Sequence, residues 1–147
     1  MRLSERLPEV ILSTRSDAIV AADRDGMIRV WNPGAERIFG YAADDALGRS
    51  LDLIIPERLR QRHWDGYRKT METGESRYGE GDVLSVPALR KDGTTISIEF
   101  TILAVKDESG AAIGMGAIIR DVTKRFDEMR ALKRRIAEIE RASTKAT

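Results

Sequence analysis

The sequence predicts an α+β domain: a five-stranded antiparallel sheet with a helical insertion between strands 2 and 3, and a helix at each end. Three observations predict this class, namely two Asp-Gly turns between extended runs, a long amphipathic pattern between those turns, and a final heptad-like pattern. A chain of 147 residues suits one compact domain with a short extension. We expect the domain to cover residues 14–123, a flanking helix to cover 1–13, and a coiled-coil-like signalling helix to cover 124–147.

The first third of the chain predicts a helix, a hairpin and a second helix. Apolar residues recur at steps of three and four between Leu3 and Ser13, which predicts a short helix that packs against the domain. Extended runs flank Asp25-Gly26, and this dipeptide favours the tight turn of a two-stranded hairpin. Asn32-Pro33 is typical of a capped helix start, and Gly40 ends that helix after about two turns.

The rest of the domain predicts one long helix and three more strands. The helix follows Pro56, runs from Glu57 to Thr73 and ends at Gly74. Extended runs then cover 83–89, 95–105 and 111–120, and the turn between the first two contains a second Asp-Gly pair.

The tail has a different pattern from the domain. Apolar residues at intervals of about three and four follow one face of a helix that is otherwise Lys, Arg and Glu. These residues are Val122, Met129, Leu132, Ile136 and Ile139.

Composition excludes several classes of function. The 25 basic and 24 acidic side chains leave a net charge of +1, so no overall field favours binding to nucleic acid or to an acidic membrane. The absence of cysteine excludes disulfides and thiolate chemistry. The longest apolar runs fall short of the ~18 residues of a membrane span, so we expect a cytoplasmic protein. No motif of paired carboxylates or of an activated nucleophile is present, so we expect no enzymatic activity.

Several motifs carry a family resemblance. They are Asp25-Gly26 with Trp31-Asn32, Phe39-Gly40-Tyr41, Gly48, Arg90-Lys91-Asp92-Gly93, and Arg120-Asp121-Val122-Thr123. With these motifs the chain resembles PAS sensory domains over residues 14–123. The resemblance implies a PAS fold, in which the concave face of the sheet and the connecting helices enclose an apolar pocket for a cofactor or small ligand. It also implies that Asp121-Val122-Thr123 leads from the last strand into a helix that signals to an effector.

The single histidine, His63, is the candidate ligand residue. A neutral imidazole binds iron well, whereas a closed zinc site needs further Cys or His ligands that the chain lacks. Leu59, His63 and Tyr67 recur at steps of four, so they share one face of the long helix. We expect that face of the helix to point toward the sheet.

The region around His63 resembles the haem-binding oxygen sensors of the FixL type and the carbon-monoxide-responsive PAS regulators. In the former the axial histidine follows a Pro-Glu pair at the same distance as here. The resemblance implies haem b with His63 as axial ligand. The pocket residues that accompany it are Leu59, Tyr67, Leu84, Ile98 and Met115.

Two positions bear on the bound gas. Leu84 stands where the oxygen sensors keep a distal arginine, and an apolar residue there disfavours O₂ relative to CO or NO. Met115 is a candidate sixth iron ligand by residue type alone. The identity of the gas stays open at this point.

The expected function is that of a sensory domain in a signal-transduction protein. We expect a homodimer through the flanking helices, a diatomic gas ligand and a downstream effector domain or protein. We also expect a polar clasp between Arg120 and Asp121 where the last strand meets the tail. Two alternatives remain: a cofactor-free PAS domain for dimerisation and partner recognition, with His63 structural, or a sensor of flavin or another small metabolite.

Overall fold

The computed structural model describes residues 1–79 and 81–145, which form five helices and five strands joined by short connections. The helices are α1 (Leu3–Leu12), α2 (Pro33–Phe39), α3 (Ala43–Ala46), α4 (Glu57–Thr73) and α5 (Thr123–Lys145), with a 3₁₀ turn over Leu51–Ile54. The strands are β1 (Ala18–Asp23), β2 (Ile28–Trp31), β3 (Leu84–Leu89), β4 (Thr95–Lys106) and β5 (Ala112–Asp121). Element ends lie within a residue of the predicted ones; for the tail, residues 146–147 lie outside the described residues.

The five strands form one sheet in the order β2-β1-β5-β4-β3, and every neighbouring pair is antiparallel. The predicted fold class is therefore confirmed. The register places Ala117 of β5 between Val20 of β1 and Ile102 of β4. Because side chains alternate along a strand, these three residues share the inner face, which the helices cover.

Two hydrophobic clusters lie under the helices. The main cluster joins the inner face of the sheet to α2, whose Ala35, Ile38 and Phe39 are at most 1% exposed. The second cluster is smaller and joins α4 to β1 and β5. Its buried members are Ala22, Tyr67, Met71 and Ala112.

Asn32 fixes the start of α2 as predicted, and it also ties three segments together. Its Oδ1 accepts hydrogen bonds from the backbone N–H groups of Ala35 (2.9 Å) and Ile19 (2.8 Å). Its Nδ2 donates to the carbonyls of Thr14 and Asp17, both at 3.1 Å. The side chain therefore joins the segment after α1 to β1 and α2.

The prediction that α1 packs against the domain is wrong. None of its residues is buried, and Leu3, Leu7, Val10, Ile11 and Leu12 are 45–82% exposed. The helical period is as predicted, but no described residue of this chain covers the apolar face of α1. None of the described helices combines the length and the apolar character needed to cross a bilayer.

Candidate functional site

Helix α4 carries the candidate site and lies against the sheet. It ends at Gly74, which has a left-handed backbone (φ 75°) and donates its N–H to Thr70 O at 2.8 Å. Tyr67 and Met71, one turn apart, are buried against Ala22 and Ala112. The C-terminal half of α4 therefore packs directly on β1 and β5.

Tyr67 tethers α4 to β1 by its hydroxyl group. The hydroxyl contacts two carbonyl oxygens, Asp23 O at 2.6 Å and Ala22 O at 3.2 Å. Burial raises the pKa of Tyr67 to about 12, so the phenol keeps its proton and donates at neutral pH. A lateral shift of α4 over the sheet must break this contact.

His63 lies one turn before Tyr67 on the same helical face. Its ring centre is 5.7 Å from that of Tyr67 and 4.6 Å from that of Trp64. Nδ1 is buried and has no hydrogen-bond partner. Burial lowers the pKa of His63 below its usual value, an effect that the charge of Asp52 opposes. The imidazole is therefore neutral at pH 7, the form that ligates a metal ion.

Trp64 anchors the other side of the site. Its Nε1 donates to Asp52 Oδ1 at 2.7 Å, and its ring covers the turn between β1 and β2. A Cβ atom on Gly26 would lie 2.1 Å from that ring, and Gly26 has a φ of +78°, so both space and backbone geometry require glycine there. Trp64 thus holds α4 to the hairpin.

The inner face of β3 and β4 keeps partly exposed apolar side chains. Leu84 pairs with Phe100 and Val86 pairs with Ile98 across the two strands. Leu84, Phe100 and Ile102 are half-buried, and Val86 is 38% exposed. This band, Leu84, Val86, Phe100 and Ile102, is apolar surface that the described helices leave partly uncovered.

The predicted pocket residues do not all lie together. His63 contacts Tyr67, and Met115 packs on the cluster that contains Tyr67. Ile98 lies in the main cluster at 4% exposure. Leu59 and Leu84 are half-buried, on α4 and on the inner face of β3.

His63 lines neither of two surface depressions formed by the described residues. One, of about 720 Å³, is lined by Pro56, Glu57, Arg58, Arg60 and Leu89 at the start of α4. The other, of about 670 Å³, is polar and lies where β5 meets α5. Within residues 1–79 and 81–145, no three His, Asp or Glu side chains gather as a group able to hold a metal ion.

The junction between β5 and α5 is held by hydrogen bonds to β4. Thr123 donates its N–H (2.9 Å) and its hydroxyl (2.6 Å) to Asp121 Oδ1, and its Oγ1 accepts from Ser97 N at 3.0 Å. Val122 N donates to Ser97 O at 2.9 Å. Two residues after Thr123, Arg125 Nη2 donates to Glu99 Oε2 at 2.8 Å. The first turn of α5 is therefore fixed to β4.

The expected polar clasp between Arg120 and Asp121 does not form, because each residue has another partner. The two residues are neighbours on a strand and point to opposite faces, so each pairs elsewhere. Arg120 Nε lies 3.3 Å from Asp17 Oδ1, and Asp121 accepts from Thr123. The clasp thus joins the end of β5 to the segment before β1. Sequence spacing gives no signal for that contact, because the two residues are 103 positions apart.

Comparison with known proteins places this geometry among sensory domains. The profile of a family described as the PAS fold matches residues 12–126. Sensor protein FixL of Bradyrhizobium diazoefficiens is 31% identical over 124 residues, which is 84% of this chain and 24% of that protein. Oxygen sensor protein DosP of Escherichia coli is 29% identical over 104 residues, 71% of this chain and 13% of that protein. The chain therefore spans less than a quarter of either relative.

Solved structures agree on the architecture. A PAS domain from Colwellia psychrerythraea superposes with a TM-score of 0.70 and 24% identity, over 84% of this chain and 99% of that one. At that identity the similarity speaks for the fold alone.

Proposed function

This chain belongs to the PAS family, and from that premise we propose that it is the sensory domain of a signal-transduction protein, in which His63 ligates haem b. The proposed domain binds and transmits, and catalysis resides in an effector outside the chain. Two relatives, sensor protein FixL and oxygen sensor protein DosP, support the sensory role.

The observation that carries the haem proposal is the state of the His63 imidazole. It is neutral at pH 7, and its buried Nδ1 has no hydrogen bond that ligation would have to break. A single axial imidazole with a large apolar surface is enough to bind haem. The partly exposed band Leu84, Val86, Phe100 and Ile102 supplies such a surface on the sheet. His63 and the residues of this band are of the types that hold haem, and haem iron would supply the binding of a diatomic gas.

The apolar character of the band bears on which gas haem held there would bind. Leu84 and Phe100 offer no hydrogen-bond donor from their side chains. A bound O₂ gains more from such a donor than CO does, because its bound form carries more negative charge. We therefore assign CO or NO, rather than O₂, as the ligand class.

Visible spectroscopy tests the proposal directly. Purified protein reconstituted with haem b should show a Soret band that is lost in His63→Ala and regained when imidazole is added. Gln61→Ala, an exposed neighbour on α4, is the matched control and should keep the band. The absence of a band in the unaltered protein contradicts haem binding, and its survival in His63→Ala contradicts the axial role of His63.

The second candidate is a cofactor-free module for dimerisation and partner recognition. Two observations favour it: Tyr67 ties α4 directly to β1, and His63 does not line either of the two depressions described above. In that case His63 has only a structural role, packing against Trp64 and Tyr67. Mass spectrometry of the purified protein under native conditions separates the candidates, since a bound flavin or metabolite would also appear as added mass.

The flanking helices support a homodimer in either case. Neither α1 nor α5 buries a residue, although each carries a regular apolar face. On the sheet, Leu103, Val105 and Ile118 are 37–52% exposed. We assign these surfaces to a second copy of the chain, and we assign the far end of α5 to the effector.

A further inference from the structure

We propose that Arg120 exchanges partners between Asp17 and Glu99, and that this exchange couples α5 to the segment that follows α1. The inference rests on the signalling role proposed for α5. In the structure Arg120 Nε lies 3.3 Å from Asp17 Oδ1, and Arg125 Nη2 of α5 lies 2.8 Å from Glu99 Oε2. Each carboxylate therefore pairs with one guanidinium group while α5 lies against β4.

Arg120 lies between the two carboxylates on the outer face of the sheet, which is the face opposite α2 and α4. The register of β4 and β5 places Glu99 directly across from Arg120. Continued by one residue, the register of β1 and β5 sets Asp17 across from Arg120 on the other side. Opposite residues point to the same face, with Cβ atoms about 5 Å apart. A change of rotamer is therefore enough to move the guanidinium group from Asp17 to Glu99.

The exposure of the three side chains shows which of them is free to move. The side chains of Asp17 and Glu99 are 29% and 32% exposed, so most of their surface is packed against neighbours. The Arg120 side chain is 72% exposed, and little packing holds it in its present rotamer. Exchange therefore requires movement of the arginine alone.

Arg125 determines which partner Arg120 takes. With the first turn of α5 against β4, Arg125 binds Glu99, and a second guanidinium group there would compete for the same oxygens and meet like charge. Arg120 therefore pairs with Asp17. When α5 leaves the sheet, Arg125 leaves with it, and Glu99 becomes free to accept from Arg120.

The exchange links the two ends of the domain within one chain. Asp17 belongs to the segment between α1 and β1, whose carbonyls also accept from Arg37. Loss of Arg120 from Asp17 removes one of the contacts that fix this segment, so departure of α5 loosens the attachment of α1. By thermodynamic linkage, displacement of the segment frees Arg120 to compete with Arg125 for Glu99, which weakens the docking of α5.

Hydrogen exchange at the base of α5 tests this coupling. Asp17→Asn and Arg120→Gln break the same ion pair, but only Asp17→Asn leaves a free guanidinium group beside Glu99. The readout is the amide of Val122, which donates to Ser97 O at 2.9 Å and opens when α5 leaves β4. At low ionic strength Asp17→Asn should speed its exchange about threefold, which corresponds to one exposed ion pair, and Arg120→Gln should leave the rate unchanged.

A crystal structure of the doubly substituted Asp17→Asn/Arg125→Gln protein tests the position of Arg120 independently. With both competing groups removed, the Arg120 guanidinium should lie within about 4 Å of the Glu99 carboxylate. The matched control is Asp17→Asn/Lys124→Gln, which removes a different exposed cation of α5 and should keep Arg125 on Glu99. An Arg120 side chain that extends into solvent in the Asp17→Asn/Arg125→Gln protein overturns the exchange.

The exchange rates separate partner exchange from a static contact. Equal acceleration by Asp17→Asn and Arg120→Gln means that the ion pair is only a structural tie, and it overturns the proposal, as does an unchanged rate in both. Acceleration by Asp17→Asn that disappears in the Glu99→Gln background supports the exchange. None of these measurements involves haem or a second copy. Their failure therefore leaves the proposed sensory function standing, and the absence of a Soret band leaves the exchange standing.

Discussion

Asn32→Ala should cost far more stability than loss of a helix cap. The substitution removes four hydrogen bonds, at 2.8, 2.9, 3.1 and 3.1 Å. Each contributes about 1 kcal/mol, and the Ala35 N–H is left buried, because Ala35 is 0% exposed. We therefore expect the free energy of unfolding to fall by about 4 kcal/mol, against the ~1 kcal/mol of an ordinary cap.

Urea unfolding followed by far-UV circular dichroism measures this loss. With a denaturant slope of ~2 kcal/mol/M, the midpoint should fall by about 2 M without a change in slope. Ser50→Ala is the matched control, since Ser50 caps the 3₁₀ turn by one bond to Asp52 N at 3.1 Å; its midpoint should fall by about 0.5 M. Asn32→Asp keeps both accepted bonds and loses both donated ones, so its midpoint should lie between these. Equal losses in Asn32→Ala and Ser50→Ala would refute the view that Asn32 joins three segments.

Three further predictions use the same unfolding measurement. Tyr67→Phe should cost about 1–2 kcal/mol by leaving the carbonyls of Ala22 and Asp23 without the hydroxyl, while Tyr78→Phe, whose hydroxyl makes no such bond, should be nearly neutral; equal losses would contradict the tether. Gly34→Ala should cost at least ~2 kcal/mol, because its Cβ would lie 1.8 Å from Asp17 O, whereas Gly66→Ala meets open space in α4 and should gain about 0.5–1 kcal/mol. For His63 without cofactor, burial lowers the folded-state pKa. As the pH is lowered through about 6.5, the unfolded chain therefore binds a proton before the folded protein does. The free energy of unfolding then decreases as the pH is lowered further. His63→Phe should lack this part of the fall between pH 7.5 and 5.5, and an unchanged pH profile would contradict the buried neutral state.

Local signals in the sequence were enough to predict most of the fold. The Asp25-Gly26 and Asp92-Gly93 turns, the Asn32 cap and the glycine that ends α4 each depend on residues a few positions apart. Gly26 and Gly93 both adopt positive φ, at 78° and 85°, which glycine tolerates without strain. These turns and helix ends can therefore be predicted from the few residues that form them.

Contacts between distant segments could not be predicted in the same way. Arg120 pairs with Asp17 and Arg125 pairs with Glu99, and nothing in the charge pattern distinguishes these partners from other acidic residues. The apolar face of α1 was predicted, but an apolar face looks the same whether its cover comes from its own domain or from a second chain. The expectation of packing failed for that reason.

Only the helical part of the candidate site could be predicted, because strand alternation does not tell which residues of the sheet a helix covers. Helical spacing alone was enough to group His63 with Tyr67. Whether Ile98 faces a pocket or a filled core depends on which helix lies over that part of β4, and this is set by the packing of α2 and α4 rather than by alternation.

Strand β4 joins the proposed ligand surface to the output helix without an intermediate element. Ile98 and Phe100 point to the inner face, the Glu99 side chain on the other face accepts from Arg125 of α5, and the Ser97 backbone N–H donates to Thr123 Oγ1. Because backbone hydrogen bonds to β3 and β5 keep β4 from slipping, a ligand that displaces Phe100 must tilt or twist the strand. We expect that motion to move Glu99 and so to change the angle at which α5 leaves the sheet. We therefore propose that β4 alone carries the signal from the proposed ligand surface to α5.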